Sequence, residues 1–305
     1  MSGSLVECVP NFSEGRDAGR VEAIVAAMRV DGVHLLDWSV DADHNRSVVT
    51  IAGEPAAVVE AAVRGAGKAV ETIDLTRQEG VHPRIGAADV IPFVPVKGIK
   101  LEQCVLLARQ AGLEIWRRFG VPVYFYEAAA SRPDRVNLED VRRGQFEGLR
   151  DAVEKEPSRR PDLGGPGLHP TGGACAVGAR KFLVTYNIYF DSSDVAMARA
   201  IAREIRAATG GLKGVKAMGV LAHGRAQLSM NITDFEATPI SQVHRRVSSL
   251  AARHKAAMGE AEVIGLIPEA ACERESEWMR QLAEFDERTK ILERRLMHPL
   301  AWPGE

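Results

Sequence analysis

Apolar positions along the chain alternate between two periods, and the alternation predicts a mixed α/β protein. Leu5–Pro10 reads as a first strand, and Val21–Met28 follows with helical spacing. Ser13 lies near the entry to that helix. Gly32–Trp38 and Arg46–Ile51 are apolar runs with strand character, joined by the polar link SVDADHN, which reads as a loop or turn. Pro55–Ala69 places Val58, Val59, Ala62, Val63 and Ala66 on one helical face, with Pro55 suited to a first helical position. In Gly80–Lys97, Gly, Pro, His, Arg and Asp precede a short apolar strand. A helix over Leu101–Phe119, a strand at Val121–Tyr126 and a basic stretch with Arg132, Arg135, Arg142 and Arg143 come next.

The composition breaks at residues 155–175, where Pro161 to Ala174 holds five glycines and three prolines. Helix and strand interiors are excluded there. Two readings stay open: a linker between domains, or a turn that brings backbone close to a ligand before the strand Phe182–Phe190. Beyond the break the pattern gives helix Val195–Ala208, strands Val215–Leu221 and Ala226–Ile232 around the turn Ala222–Gly224, helix Ile240–His254 and strand Ala261–Leu266. That is the β-α-β-β-α-β order of a ferredoxin-like unit, and the opening third of the chain has the same order. The expected architecture is α/β (α+β): two ferredoxin-like subdomains packed together with a ligand cleft between them, bounded as 1–178 and 179–305. The charged segment Glu269–Met297 is expected to be helical, with Leu282, Phe285, Ile291 and Leu292 as its apolar positions, and to cap the second unit or an interface.

Composition narrows the functional classes. With 46% hydrophobic and 26% charged residues, the 305-residue chain is ordinary for a folded protein. A net charge of −2 advertises neither nucleic acid nor an anionic membrane. Cys8, Cys104, Cys175 and Cys272 are too scattered for a zinc ribbon or a disulfide framework. No apolar run approaches the roughly 20 residues that span a bilayer, and the start carries no secretory pattern. A cytoplasmic protein with reduced thiols is expected.

His82 is the leading candidate for chemistry, because it sits in a Gly/Pro-framed turn ahead of a strand and imidazole can take and give a proton near neutrality. His44 in the DADHNR loop and His169 in the glycine-rich segment are secondary candidates, and a solvated face is expected for His244. HxH and HxxxH are absent, so no metal is required, and nucleotide-binding and GxSxG motifs are absent too. Among Asp37, Asp41 and Asp43, one orienting His82 is simpler than a cation site.

Three segments, LVECVPNFSEGRD, GVHPRIGAADVIPFVPV and GARKFLVTYNI, together resemble the glutamate formimidoyltransferase family, the formiminotransferase part of formiminotransferase–cyclodeaminase. The resemblance covers nearly all of residues 5–267 with the motifs in order. It implies two ferredoxin-like subdomains, a homodimer, and a catalytic histidine at His82 in the setting HPR-x-G-x-x-D. It implies a folate-contacting segment over Asp162, Leu163, Gly164, Gly165, Pro166, Gly167, Leu168, His169, Pro170 and Thr171, richer in glycine here than in animal members. Animal members carry an assisting acidic residue where this chain has Ser39. That role then falls to Asp37, Asp41 or Asp43. The implied reaction moves a formimino group between N-formimino-L-glutamate and tetrahydrofolate, a co-substrate, giving L-glutamate and 5-formiminotetrahydrofolate in histidine degradation. A separate cyclodeaminase is then expected to consume the product. One histidine between the two nitrogens can serve as both base and acid, and Arg84 and Arg180 suit the substrate carboxylates. The rival readings are formyl transfer between N-formylglutamate and 5-formyltetrahydrofolate, a non-catalytic folate-binding protein, and a structural dimerisation module.

Overall fold

The computed structural model describes residues 3–42, 44–80 and 82–304. The chain divides into two compact units, one running to Arg180 and rejoined by the segment from Pro299, the other Lys181–His298.

The first unit opens with β1 (Leu5–Cys8) and β2 (Asn11–Phe12), two pieces of one central strand interrupted at Val9–Pro10. Both pieces pair antiparallel with β4 (Arg46–Gly53) on one side and β5 (Ala88–Lys97) on the other. Helix α1 (Ala18–Ala27) begins where Asp17 accepts the Arg20 amide at 3.1 Å. Ser13 lies earlier, with its hydroxyl donated to the Gly86 carbonyl. Strand β3 (Val33–Asp41) is longer than its apolar pattern predicts. It continues through the polar Ser39–Asp41, whose partners across β4 are Val48, Ser47 and Arg46. Only four residues therefore turn the hairpin, and Asn45 takes the left-handed conformation there (φ 49°). Helix α2 (Pro55–Thr72) covers the sheet with Val58, Val59, Ala62, Val63 and Ala66 buried.

Up to β5 the strand order β3–β4–β1/β2–β5 is ferredoxin-like. The unit then extends the sheet. Helix α3 (Leu101–Phe119) leads to β6 (Val123–Glu127), and β7 (Cys175–Ala179) inserts between β5 and β6, parallel to both. On one face lies the main core with α2 and α3. The other face has a second core of Ile85, Val90, Tyr124, Tyr126, Val141 and Leu149, to which α4 (Leu138–Val141) and α5 (Gln145–Lys155) contribute. Burial on both faces is the normal condition of parallel strands. The glycine-rich stretch leads into β7, so it lies inside the first unit and links no domains.

The second unit has β8 (Val184–Phe190), α6 (Val195–Ile205), β9 (Val215–Ala222), β10 (Arg225–Ile232), α7 (Ile240–Arg253) and β11 (Met258–Ile264) in an antiparallel sheet ordered β11–β8–β10–β9. Val184, Tyr186, Ile188 and Phe190 alternate into its core. His244 is not on a solvated face: it is 2% exposed and its Nδ1 lies 2.9 Å from the Tyr186 hydroxyl. The charged tail forms three short helices, α8 (Glu277–Arg280), α9 (Glu287–Lys290) and α10 (Leu292–Met297). Its chain bonds the edge of β11 and the residues beyond it: the Ala261 amide donates to the Gln281 carbonyl and the Ile267 amide to the Lys290 carbonyl. A sheet edge is thereby capped. After the tail, Leu300 pairs with Leu35 of the first unit. No helix among the described residues is long and apolar enough to cross a membrane.

Candidate active site

The turn that carries His82 is held by one buried carboxylate. Asp89, at the start of β5 and fully buried, accepts the Ile85 amide at 2.9 Å on one oxygen. Its other oxygen takes Arg46 of β4 at 2.8 Å and a short contact from Arg142 just after α4. This explains the spacing HPR-x-G-x-x-D, since the aspartate closes the turn four residues behind it. Burial pushes the Asp89 carboxyl up, but the Arg142 and Arg46 charges outweigh it and draw it down to about 2. Two guanidiniums against one carboxylate leave an excess positive charge. Arg46 also donates both Nε and Nη2 to Asn11, at 3.1 and 2.8 Å. The buried Nε of Arg142 has no partner among the described residues.

His82 is half-buried beside this cluster, with Nδ1 2.8 Å from the Pro83 carbonyl. That bond fixes the tautomer: Nδ1 carries the hydrogen and Nε2 offers a lone pair. Burial, reinforced by the Arg46 and Arg142 charges, lowers its pKa to about 3. It is a neutral imidazole at neutral pH.

Two neighbouring segments complete the surroundings. The hairpin turn at His44–Asn45 is bolted to the His82 loop: Asn45 Nδ2 donates to the Glu79 carbonyl at 2.8 Å and Gln78 Nε2 to the Asn45 carbonyl at 3.1 Å. A Cβ on Gly80 would lie 2.6 Å from the His44 carbonyl oxygen, so only glycine permits this approach. A polar cavity of about 840 Å³ adjoins the same contact, lined by Asn45, Gln78 and Glu79 together with Arg16, Arg20 and Arg77. On another side, the glycine-rich segment is stitched to the chain on both sides of His82. The Ala87 amide donates to Gly172, the Ala174 amide to Ile85 and the Leu75 amide to Thr171. Gly173 is left-handed (φ 69°), and a Cβ there would sit 2.1 Å from the Ile85 carbonyl oxygen.

The expected site residues divide under this geometry. The end of the 162–171 segment bonds the chain on both sides of His82, at Leu75 and, through Gly172, at Ala87. Asp41 engages His44 (Nδ1 to Oδ2, 2.7 Å), while the His82 Nδ1 bond goes to its own turn. Asp43 lies outside the described residues. Arg84 is 7% exposed and its fork is committed to the fold: it donates to both Glu147 oxygens at 2.8 and 3.1 Å and to Gln78 at 2.5 Å. Arg180 follows β7 with its amide on Phe93, and its charge opposes the burial that raises Tyr126 and Cys8. Asp162 accepts the Phe125 amide at 2.8 Å and pairs with Arg135 at 2.5 Å, an anchoring role. Leu163 bridges to Val123, and Gly164 packs against Trp116 where a Cβ would come within 2.7 Å. Gly165 and Pro166 are exposed, Gly167 and Leu168 half-buried, and His169 accepts the Gly172 amide on Nδ1 at 2.9 Å. Composition alone did not single out Arg46 and Arg142. The chemical signal was available in their type: cations that must find a carboxylate once buried. Among the described residues no group of three or more His, Cys, Asp or Glu is placed to hold a metal ion.

Two family models cover this chain: the N-terminal subdomain of the formiminotransferase domain matches residues 5–180, and the formiminotransferase domain matches 185–295. The chain belongs to the formiminotransferase family. Among its relatives are the glutamate formimidoyltransferase of Streptococcus pyogenes, 42% identical over 96% of this chain and 99% of that one, and that of Thermoplasma acidophilum, 44% identical over 96% and 97%. The formimidoyltransferase-cyclodeaminase of Gallus gallus is 41% identical over 88% of this chain and 51% of its own length.

Proposed function

We infer that this chain is a glutamate formimidoyltransferase, moving the formimino group of N-formimino-L-glutamate to N5 of tetrahydrofolate and releasing L-glutamate. The observation that carries the reading is His82 held neutral, with Nδ1 committed to the Pro83 carbonyl and the lone pair left on Nε2, beside the Arg46–Asp89–Arg142 cluster. The transfer forms a bond from N5 to the amidine carbon and breaks the bond from that carbon to the glutamate nitrogen. N5 loses a proton and the departing amine gains one. A neutral imidazole is the right state to accept the N5 proton, and a positioned base contributes about 10²–10⁴ in rate. Both substrates carry glutamate carboxylates, and the uncompensated charge of Arg46 and Arg142, with the unpartnered Arg142 Nε, supports their attraction to this place. Backbone groups around Gly172–Gly173, held against the His82 turn, support a role for the glycine-rich segment beside the pterin.

The test is a steady-state assay of the purified chain with N-formimino-L-glutamate and tetrahydrofolate. Formation of 5-formiminotetrahydrofolate and equimolar glutamate is expected. Turnover confined to N-formylglutamate, or folate binding with no turnover, would overturn the reading.

A further inference from the structure

The hairpin turn beside the His82 loop presents a second imidazole that the transfer so far leaves without a task. His44 is held twice by Asp41. Its backbone amide donates to Oδ1 at 2.9 Å and its Nδ1 lies 2.7 Å from Oδ2. The bond fixes the tautomer with hydrogen on Nδ1. The His44 and His82 rings meet edge to face, with centroids 6.2 Å apart and planes at 65°. The two rings are therefore near neighbours across the contact between the two turns. The juxtaposition is built in: the two turns meet at the close approach of Gly80 to the His44 carbonyl and at the bond from the Asn45 side-chain amide to the Glu79 carbonyl. His44 is also open, its side chain 45% exposed.

We propose that His44, oriented by Asp41, is the acid that protonates the departing glutamate nitrogen, while His82 takes the proton from N5. This rests on the formimidoyltransferase reading above and divides between two residues what one histidine was expected to do. The balance closes. The N5–H bond breaks and its proton goes to His82 Nε2, the His44 Nε2–H proton goes to the leaving nitrogen, and the two imidazoles exchange roles. Arg46 and Arg142 disfavour a cationic His82, so its proton moves on to His44 across the gap and resets the site. One imidazole lies beside cations and the other is bonded to a carboxylate.

The experiment uses full-length His44→Gln, His44→Ala and Asp41→Asn, with circular dichroism to confirm folding. His44→Gln is expected to lower kcat about 10²-fold with both KM values within about twofold of wild type. Asp41→Asn should lose about tenfold. Added imidazole should restore part of the kcat of His44→Ala, and the loss should shrink for an N-formimino donor whose leaving amine is less basic. A kcat for His44→Gln within about threefold of wild type, or a loss that neither imidazole nor the leaving group changes, would overturn the proposal. Wild-type turnover alongside an undiminished His44→Gln removes only this inference. A wild type that does not turn over removes the formimidoyltransferase reading with it.

Discussion

The two units share one strand order and differ in what they bury. The second keeps its interior nearly neutral: His244 is bonded to the Tyr186 hydroxyl, its pKa lowered by burial, and Trp278 is fully buried with its indole N–H on Glu273 at 3.0 Å. The first extends its sheet by β7 and β6, and in the same region buries Asp89 between two arginines beside a half-buried histidine. A buried ion cluster of uneven charge is a poor stabiliser. Such a cluster is present in the first unit and not in the equivalent core of the second. The second unit shows what the shared topology needs in order to fold, and the first shows what was added.

Removing the buried carboxylate should strike hardest at that contrast. Asp89→Asn strands two buried cations and releases the His82 turn, and should cost about 3–5 kcal/mol together with transfer activity, read by urea unfolding and the formimino assay. Trp278→Ala empties a core site of the second unit and should cost a similar ~3–5 kcal/mol through cavity formation alone. If the Asp89 variant were as stable as wild type, the cluster would not be the brace described. Gly173→Ala is next. The left-handed backbone and the Ile85 carbonyl predict a loss of about 1–3 kcal/mol, with a raised KM for tetrahydrofolate as the segment shifts from the His82 turn. The smallest effect is pH-dependent. His82 has a folded pKa near 3, below its ordinary value, so the unfolded chain binds more protons between those values and stability falls as pH drops through that window. The expected loss between pH 7 and pH 6 is about 1 kcal/mol, and His82→Asn should remove it. A pH slope unchanged in that variant would place the titration elsewhere.

Much of the framework was legible in the chain. Helix α3 follows its apolar spacing from Leu101 to Phe119, and strand β8 declares itself by Val184, Tyr186, Ile188 and Phe190. Strand β3 was underestimated because a solvated strand end such as Ser39–Asp41 has no apolar face to show. The insertion of β7 between β5 and β6 is a pairing choice, and no residue of CAVGA names its neighbours. The site followed the same rule. His82 stood out by its turn and by the family resemblance. The partners that set its charge state did not, because Arg46 and Arg142 lie 43 and 53 residues from Asp89 and only the fold brings them together. Arg84 sits in the same motif, yet Glu147, remote in sequence, claims its fork. Local spacing reveals which residues are special, whereas long-range pairing decides which of them remain available.

The most direct test of His82 as the proton acceptor is the kcat for formimino transfer by His82→Ala, measured at saturating N-formimino-L-glutamate and tetrahydrofolate on protein shown to be folded. A fall of at least about 10²-fold is expected, with binding of both substrates retained. A variant that turns over at the wild-type rate would contradict that role.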